Sequence, residues 1–276
     1  MSSTLTAGGS APARPDEDDG IVFRHVGKTF VTEDGTTRAL DDVTLTIERG
    51  QFVTLIGPSG CGKSTLLRIA AGLTGHDEGE VSLFGQSVQA AQASKNIGLV
   101  PQSPALLPWR TVLGNVTLPQ QFNRRAGTDR QLRDPVELLE SFGLGEAIKK
   151  RPAQLSGGMQ QRVSIARAFA FDPAVLLMDE PFSALDEFTR EMLRGELLQI
   201  WQRNRKTVLF VTHSVSEAVA LSDVVVVMSA RPGRIRAIVP IDLPRPRDES
   251  VLVSGKFHEL EDRIRFELKG GWNRGS

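Results

Sequence analysis

Three short stretches of this 276-residue chain carry residue types at spacings suited to phosphate chemistry. The first is Gly57, Pro58, Ser59, Gly60, Cys61, Gly62, Lys63 and Ser64, with Thr65 following, and it fits G-x-x-x-x-G-K-[ST]. Glycines at those places let successive backbone N–H groups turn inward around phosphate oxygens, and a helix opening near Lys63 presents its positive end to them. Lys63 adds charge for the β and γ phosphates of a nucleotide and Ser64 a hydroxyl for Mg²⁺, while Cys61 serves through its backbone. The second stretch is the apolar run Val175 to Met178 ending in Asp179 and Glu180. That order brings one carboxylate to the metal, through water, and a second beside an attacking water, so Asp179 is assigned to Mg²⁺ and Glu180 to general base. The third stretch is Leu155, Ser156, Gly157, Gly158 and Met159, where Ser156 suits an N-cap and the glycines admit an anion closely. One chain thus holds two helix starts built for phosphate.

These residues need elements to hold them. Phe52–Ile56, Val175–Met178, Thr207–Thr212 and Val224–Met228 are continuous apolar runs, the pattern of strands buried on both faces of a helix-covered parallel sheet. Val43, Leu45 and Ile47 alternate with Thr44 and Thr46, which predicts a half-wet antiparallel strand at the N-terminal edge. Between about Thr111 and Ala153 the buried-strand pattern gives way to helical, polar sequence, an inserted subdomain. After Pro244, Arg245, Pro246 and Arg247, the residues Val253, Phe257, Leu260, Ile264 and Leu268 recur at helical spacing and predict an amphipathic helix for packing or partner contact. Residues 1–20, with Asp16 to Asp19, read as a solvated tail without the apolar core of a signal peptide.

Composition narrows the partners. Lys+Arg and Asp+Glu both count 33, so no overall basic field exists to hold nucleic acid, and nucleic acid is not expected as a partner. A single cysteine cannot close a disulfide within the chain and suits a reducing compartment. No apolar run approaches the length of about 20 residues that a spanning helix requires.

The stretch Leu155 to Gln160 resembles the LSGGQ signature of the ATP-binding subunit of ABC transporters, with Met159 departing at its last position. The resemblance spans about residues 21–243 and implies ATP and Mg²⁺ as cofactors. The implied fold is α/β: a P-loop ABC cassette with a mainly parallel core sheet, an antiparallel β edge subdomain and a helical subdomain at about 103–160. Residues 244–276 then form a C-terminal extension. By the same resemblance Phe30 stacks on adenine, and Gln102, after the strand Ile97 to Val100, is the Q-loop glutamine at the γ phosphate and the metal. Pro101 stands there in place of the usual apolar or aromatic residue. Ser183, Ala184, Leu185 and Asp186 resemble the D-loop, and His213 the switch histidine.

Within that family, Ala105 to Val112 with Asn115, Val116, Leu118 and Pro119 resembles the nitrate/sulfonate/taurine importer group, as do Trp201, the Arg231, Pro232, Gly233 turn and Asp242 to Arg247. The implied protein is a homodimer, peripheral on the cytoplasmic face of the cell membrane, beneath two integral permease subunits. An extracytoplasmic solute-binding protein delivers a sulfonate, nitrate, taurine or pyrimidine-precursor cargo. The apolar Leu106 to Trp109 form a candidate docking surface. A soluble ABC ATPase acting on ribosomes or nucleic acid is the alternative, and a nucleotide sensor without hydrolysis is a further one that Glu180 and His213 argue against.

Overall fold

A computed structural model describes residues 19–33, 35–122 and 132–270. The tail read at 1–20 therefore lies outside the described residues up to residue 18, as do 123–131 of the helical insertion and 271–276 of the extension. The chain opens with two long strands, β1 (Asp19–Thr32) and β2 (Gly35–Glu48), paired antiparallel. In β2 the side chains alternate as the sequence predicts, with Val43, Leu45 and Ile47 buried between exposed threonines. With β4 (Glu78–Leu83) and β5 (Gln86–Ser87) they form an outer antiparallel sheet in the order β2-β1-β4-β5.

The second sheet is the core. It runs β10-β9-β3-β8-β7-β6, from β3 (Phe52–Ile56), β6 (Ile97–Val100), β7 (Val175–Asp179), β8 (Thr207–Val211), β9 (Val224–Ser229) and β10 (Arg234–Pro240). All neighbours are parallel except β10, which returns antiparallel to β9. Every residue of β3, β7 and β8 is buried, the burial on both faces that continuous apolar runs foretell.

Helix α1 (Lys63–Ala70) follows β3 and α2 (Val88–Ala93) follows β5. The insertion supplies α3 (Val112–Val116), α4 (Leu118–Gln121) and α5 (Pro135–Ser141); α3 and α5 pack on α6 (Gly157–Phe169), which leads back into β7. Helices α7 (Glu187–Asn204) and α8 (Val215–Leu221) flank β8. Trp201 of α7 is fully buried, edge-on to Phe52 at 5.6 Å, and its Nε1 donates to Lys206 O at 2.7 Å. The extension forms α9 (Glu249–Leu252) and α10 (Gly255–Gly270). Phe257 and Ile264 of α10 are buried in a cluster with α8 and β9, so this helix packs on the domain. Val253 precedes α10 and is exposed, so the expected stripe starts at Phe257.

Arg247 fastens this extension. Buried to 7 % exposure, it donates from Nη1 to Val219 O, Ala220 O and Ser222 O, at and just beyond the C-terminal end of α8. Burial draws its pKa down to about 10, which leaves it charged at neutral pH. A cation there answers both the orphan carbonyls and the negative end of the helix dipole.

Candidate functional site

The parallel strands bring the chemistry-bearing residues to their carboxyl ends. Beyond β3 the chain turns through Gly57 to Gly62 into α1, and Gly60 and Gly62 adopt φ of 77° and 89°, left-handed values that favour glycine. A Cβ on Gly62 would meet Leu40 Cδ2 at 2.6 Å, so the loop is pressed against β2 as well as bent. Lys63 is 6 % exposed and donates from Nζ to Gly57 O at 2.8 Å and Pro58 O at 3.1 Å, which aims its charge into the loop. The Cys61 thiol is fully buried and its pKa is raised by that burial, which keeps it an unreactive packing group. Thr65 lies in the first turn of α1.

Across the sheet, Ser64 Oγ donates to Asp179 Oδ1 at 2.7 Å, uniting the phosphate loop with the end of β7. A hydroxyl and a carboxylate together suit Mg²⁺, a hard cation that takes oxygen ligands and keeps several waters. Glu180 follows with φ 45°, and its N–H donates to Val211 O at 3.0 Å, so the strand end is bent while still tied to β8. A left-handed residue other than glycine costs roughly 1–2 kcal/mol, and such strain collects at functional positions. Two groups meet the Glu180 carboxylate: Gln102 Nε2 and His213 Nδ1, each 3.4 Å from Oε2. The structure thus gathers Lys63, Ser64, Asp179, Glu180, Gln102 and His213, which lie in four separate segments of the sequence.

Ser156, Gly157 and Gly158 stand elsewhere, at the start of α6. Ser156 Oγ accepts from Met159 N at 3.3 Å, the expected N-cap. Nothing lies within 4 Å of a Cβ built on Gly157, whereas one on Gly158 would meet Thr189 Cγ2 at 2.7 Å. Asp186 caps α7, accepting from Thr189 N at 2.9 Å, and that backbone bond holds its carboxyl below the usual range. The signature thus presents an open face whose back rests on the helix that Asp186 begins. Phe30 lies within β1, paired with Thr37 of β2. It is 39 % exposed, with Lys28 Nζ 5.4 Å from its ring centre.

After Gln102, the loop to Arg110 is held from two sides. The buried Asn115 side chain accepts from Leu107 N at 2.7 Å and donates to Leu107 O at 3.2 Å, and Arg167 of α6 donates to Pro104 O and Ala105 O. Trp109 projects from this anchored loop at 68 % exposure, and Leu106 is half-buried against the core. Sequence reasoning missed three features. A cleft of about 1010 Å³ beside Gly57–Ser59 and His213 is walled by Arg231 and by Arg265, Leu268 and Lys269 of α10. Asn115 acts as the anchor of the loop. Glu217 is buried beside the His213 segment, and its desolvation raises its pKa against the opposing hydrogen bond from Thr212. An acid at the fourth position after His213 reads in sequence as ordinary first-turn helix chemistry, and only burial marks it out.

A parallel sheet that delivers a phosphate loop and paired carboxylates to one edge, with a second glycine helix start on an inserted helical layer, is the design of an ATP-binding cassette. The ABC transporter family model matches residues 40–183. An uncharacterised ABC transporter ATP-binding protein of Methanocaldococcus jannaschii is 51 % identical over 249 residues, 90 % of this chain and 91 % of that one. The aliphatic sulfonates import ATP-binding protein SsuB of Bacillus cereus is 42 % identical over 253 residues, 91 % and 97 % of the two chains. Among solved structures, the ATP-binding cassette MJ0796, a dimer in a post-hydrolysis state bound to ADP and Pi, aligns with TM-score 0.70 and 34 % identity over 80 % of this chain and 98 % of that one. The chain belongs to the ABC transporter family, as an ATP-binding cassette with ATPase activity. Among the described residues no helix is long and apolar enough to cross a membrane.

Proposed function

We propose that the chain is the ATP-hydrolysing subunit of an importer for a small solute, working as a homodimer beneath two permease subunits on the cytoplasmic face of the membrane. The observation that carries this reading is the meeting of Gln102 and His213 on Glu180, next to the Ser64–Asp179 pair, while Ser156 and Gly157 stay open to a second copy. ATP lies between the Gly57–Thr65 loop of one copy and Ser156, Gly157 and Gly158 of the other, with Phe30 against the adenine. Lys63 holds the β and γ phosphates. Ser64 and Asp179 hold Mg²⁺, with Gln102 beside them, and the ion supplies charge to the phosphoryl group in transfer. Glu180 takes the proton of the attacking water, and His213 and Gln102 keep that water and the γ phosphate in place. Asp186 starts the helix that backs the signature and so belongs to the face between copies.

SsuB relatives, named for aliphatic sulfonates, support a cargo of the sulfonate, nitrate or taurine type, with pyrimidine precursors as a further class. The cargo comes from an extracytoplasmic solute-binding protein, and Trp109 on its anchored loop supports contact with a permease subunit. Closure on ATP reorients the permeases and hydrolysis resets them. The test is ATPase activity of the chain reconstituted with its permeases: a binding protein loaded with an aliphatic sulfonate should stimulate turnover over the unloaded protein. An intact complex that no loaded binding protein stimulates would contradict the importer reading.

A further inference from the structure

The buried Glu217 has partners on two functional segments at once. Its Oε2 accepts from Thr212 Oγ1 at 2.5 Å, and Thr212 Oγ1 accepts in turn from Ser214 N at 3.0 Å. The Glu217 N–H also donates to Ser214 Oγ at 3.3 Å. Both neighbours of His213 are therefore held by this one residue. On its other side, Oε1 faces Arg190 Nε at 3.7 Å. Arg190 donates from Nη2 to Leu185 O at 2.9 Å and from Nη1 to Glu187 Oε2 at 3.2 Å, the residues on either side of Asp186.

A carboxylate in the first turn of α8 gains from the helix dipole at any exposure, so dipole chemistry alone does not explain burial to 5 %. Burying the charge is costly without partners, and Arg190 supplies the opposite charge. Arg190 Nε is itself buried and has no hydrogen-bond partner among the described residues. From 3.7 Å, an approach of less than about 1 Å would turn the pair into a hydrogen bond.

We infer that Glu217 and Arg190 are positioning residues that couple the segment of His213, which serves one nucleotide site, to the Leu185–Glu187 segment on the face between copies. The inference rests on the proposed dimer with shared sites. In it, movement of His213 with the γ phosphate is passed through Thr212 and Glu217 to Arg190, and so to the segment that meets the second copy.

The test is a double-mutant cycle on the full chain with Glu217→Gln and Arg190→Gln. Glu217→Gln keeps the shape and an acceptor for Thr212 while removing the charge that faces Arg190. Each single variant should lower kcat about fivefold or more and leave KM for ATP within about twofold, and the double variant should be no slower than the slower single one. Glu217→Ala, which also frees Thr212, should be slower than Glu217→Gln. Should Arg190→Gln not fold, Arg190→Lys takes its place, because lysine keeps the charge but not the forked contact with Leu185 and Glu187. Wild-type kcat in folded single variants would overturn the inference, as would losses that multiply in the double variant. A fall in melting temperature with kcat preserved would assign the pair to packing alone. Failure of separately damaged copies to restore each other's activity would instead strike the shared-site reading beneath it.

Discussion

In the proposed reaction Glu180 is the residue on which the chemistry turns, because the bend at φ 45° and its bond to Val211 fix it where Gln102 and His213 both approach its carboxylate. Glu180→Gln keeps size and polarity but cannot take a proton. Turnover should fall by about 10² to 10⁴ while ATP binding persists, the usual loss for a general base. ATP should then hold the variant as a dimer, seen by size-exclusion chromatography, and wild-type hydrolysis would take the general-base role from Glu180. Asp179 and Glu180 were legible in sequence because a buried strand ending in two acids after a phosphate loop has few other uses. Glu217 was not, since its type and place are those of any acid in a first helical turn, and its meaning lies in Thr212 and Arg190, which only the fold brings to it.

At the scale of elements, two anchored pieces decide how the site is presented. The loop from Gln102 to Arg110 hangs from Asn115 and Arg167, which leaves Trp109 exposed on a fixed support. Large aromatics at such places often anchor interfaces, and truncating one costs ~2 kcal/mol or more of binding. Trp109→Ala should leave melting temperature and basal ATPase of the free subunit near wild type while weakening assembly with the permeases or cargo-stimulated hydrolysis. Loss of stability and basal rate together would instead make Trp109 a packing residue. The other anchored piece is the extension, pinned by Arg247 at the end of α8. Arg247→Met removes the donor and strands buried carbonyls, so chemical denaturation should show a loss of about 2–4 kcal/mol. An unchanged midpoint would mean that α10 holds itself in place by Phe257 and Ile264. The amphipathic pattern of this helix was readable; that it would also wall a cleft beside the phosphate loop was not, because that depends on where β10 returns it.

For the molecule as a whole, the parallel core was the most legible part, since β3, β7 and β8 are apolar throughout and buried throughout. The outer sheet was harder to read. Strand β1 shifts register against β2 at several points and mixes polar residues into its run, so its sequence lacks the clean alternation that marks β2. The open signature, far along the chain from the phosphate loop and presenting Gly157 to solvent, is what supports the proposal that each ATP site is built from two copies. Lys63→Ala damages the phosphate loop and Ser156→Arg fills the signature, so each variant alone should be inactive. A mixed dimer of the two collects both defects in one site and assembles the other from intact halves. The most direct measurement is the ATPase rate of the two purified variants before and after mixing. Recovery of activity on mixing is the predicted result, and no recovery while mixed dimers demonstrably form would show that each chain hydrolyses ATP by itself.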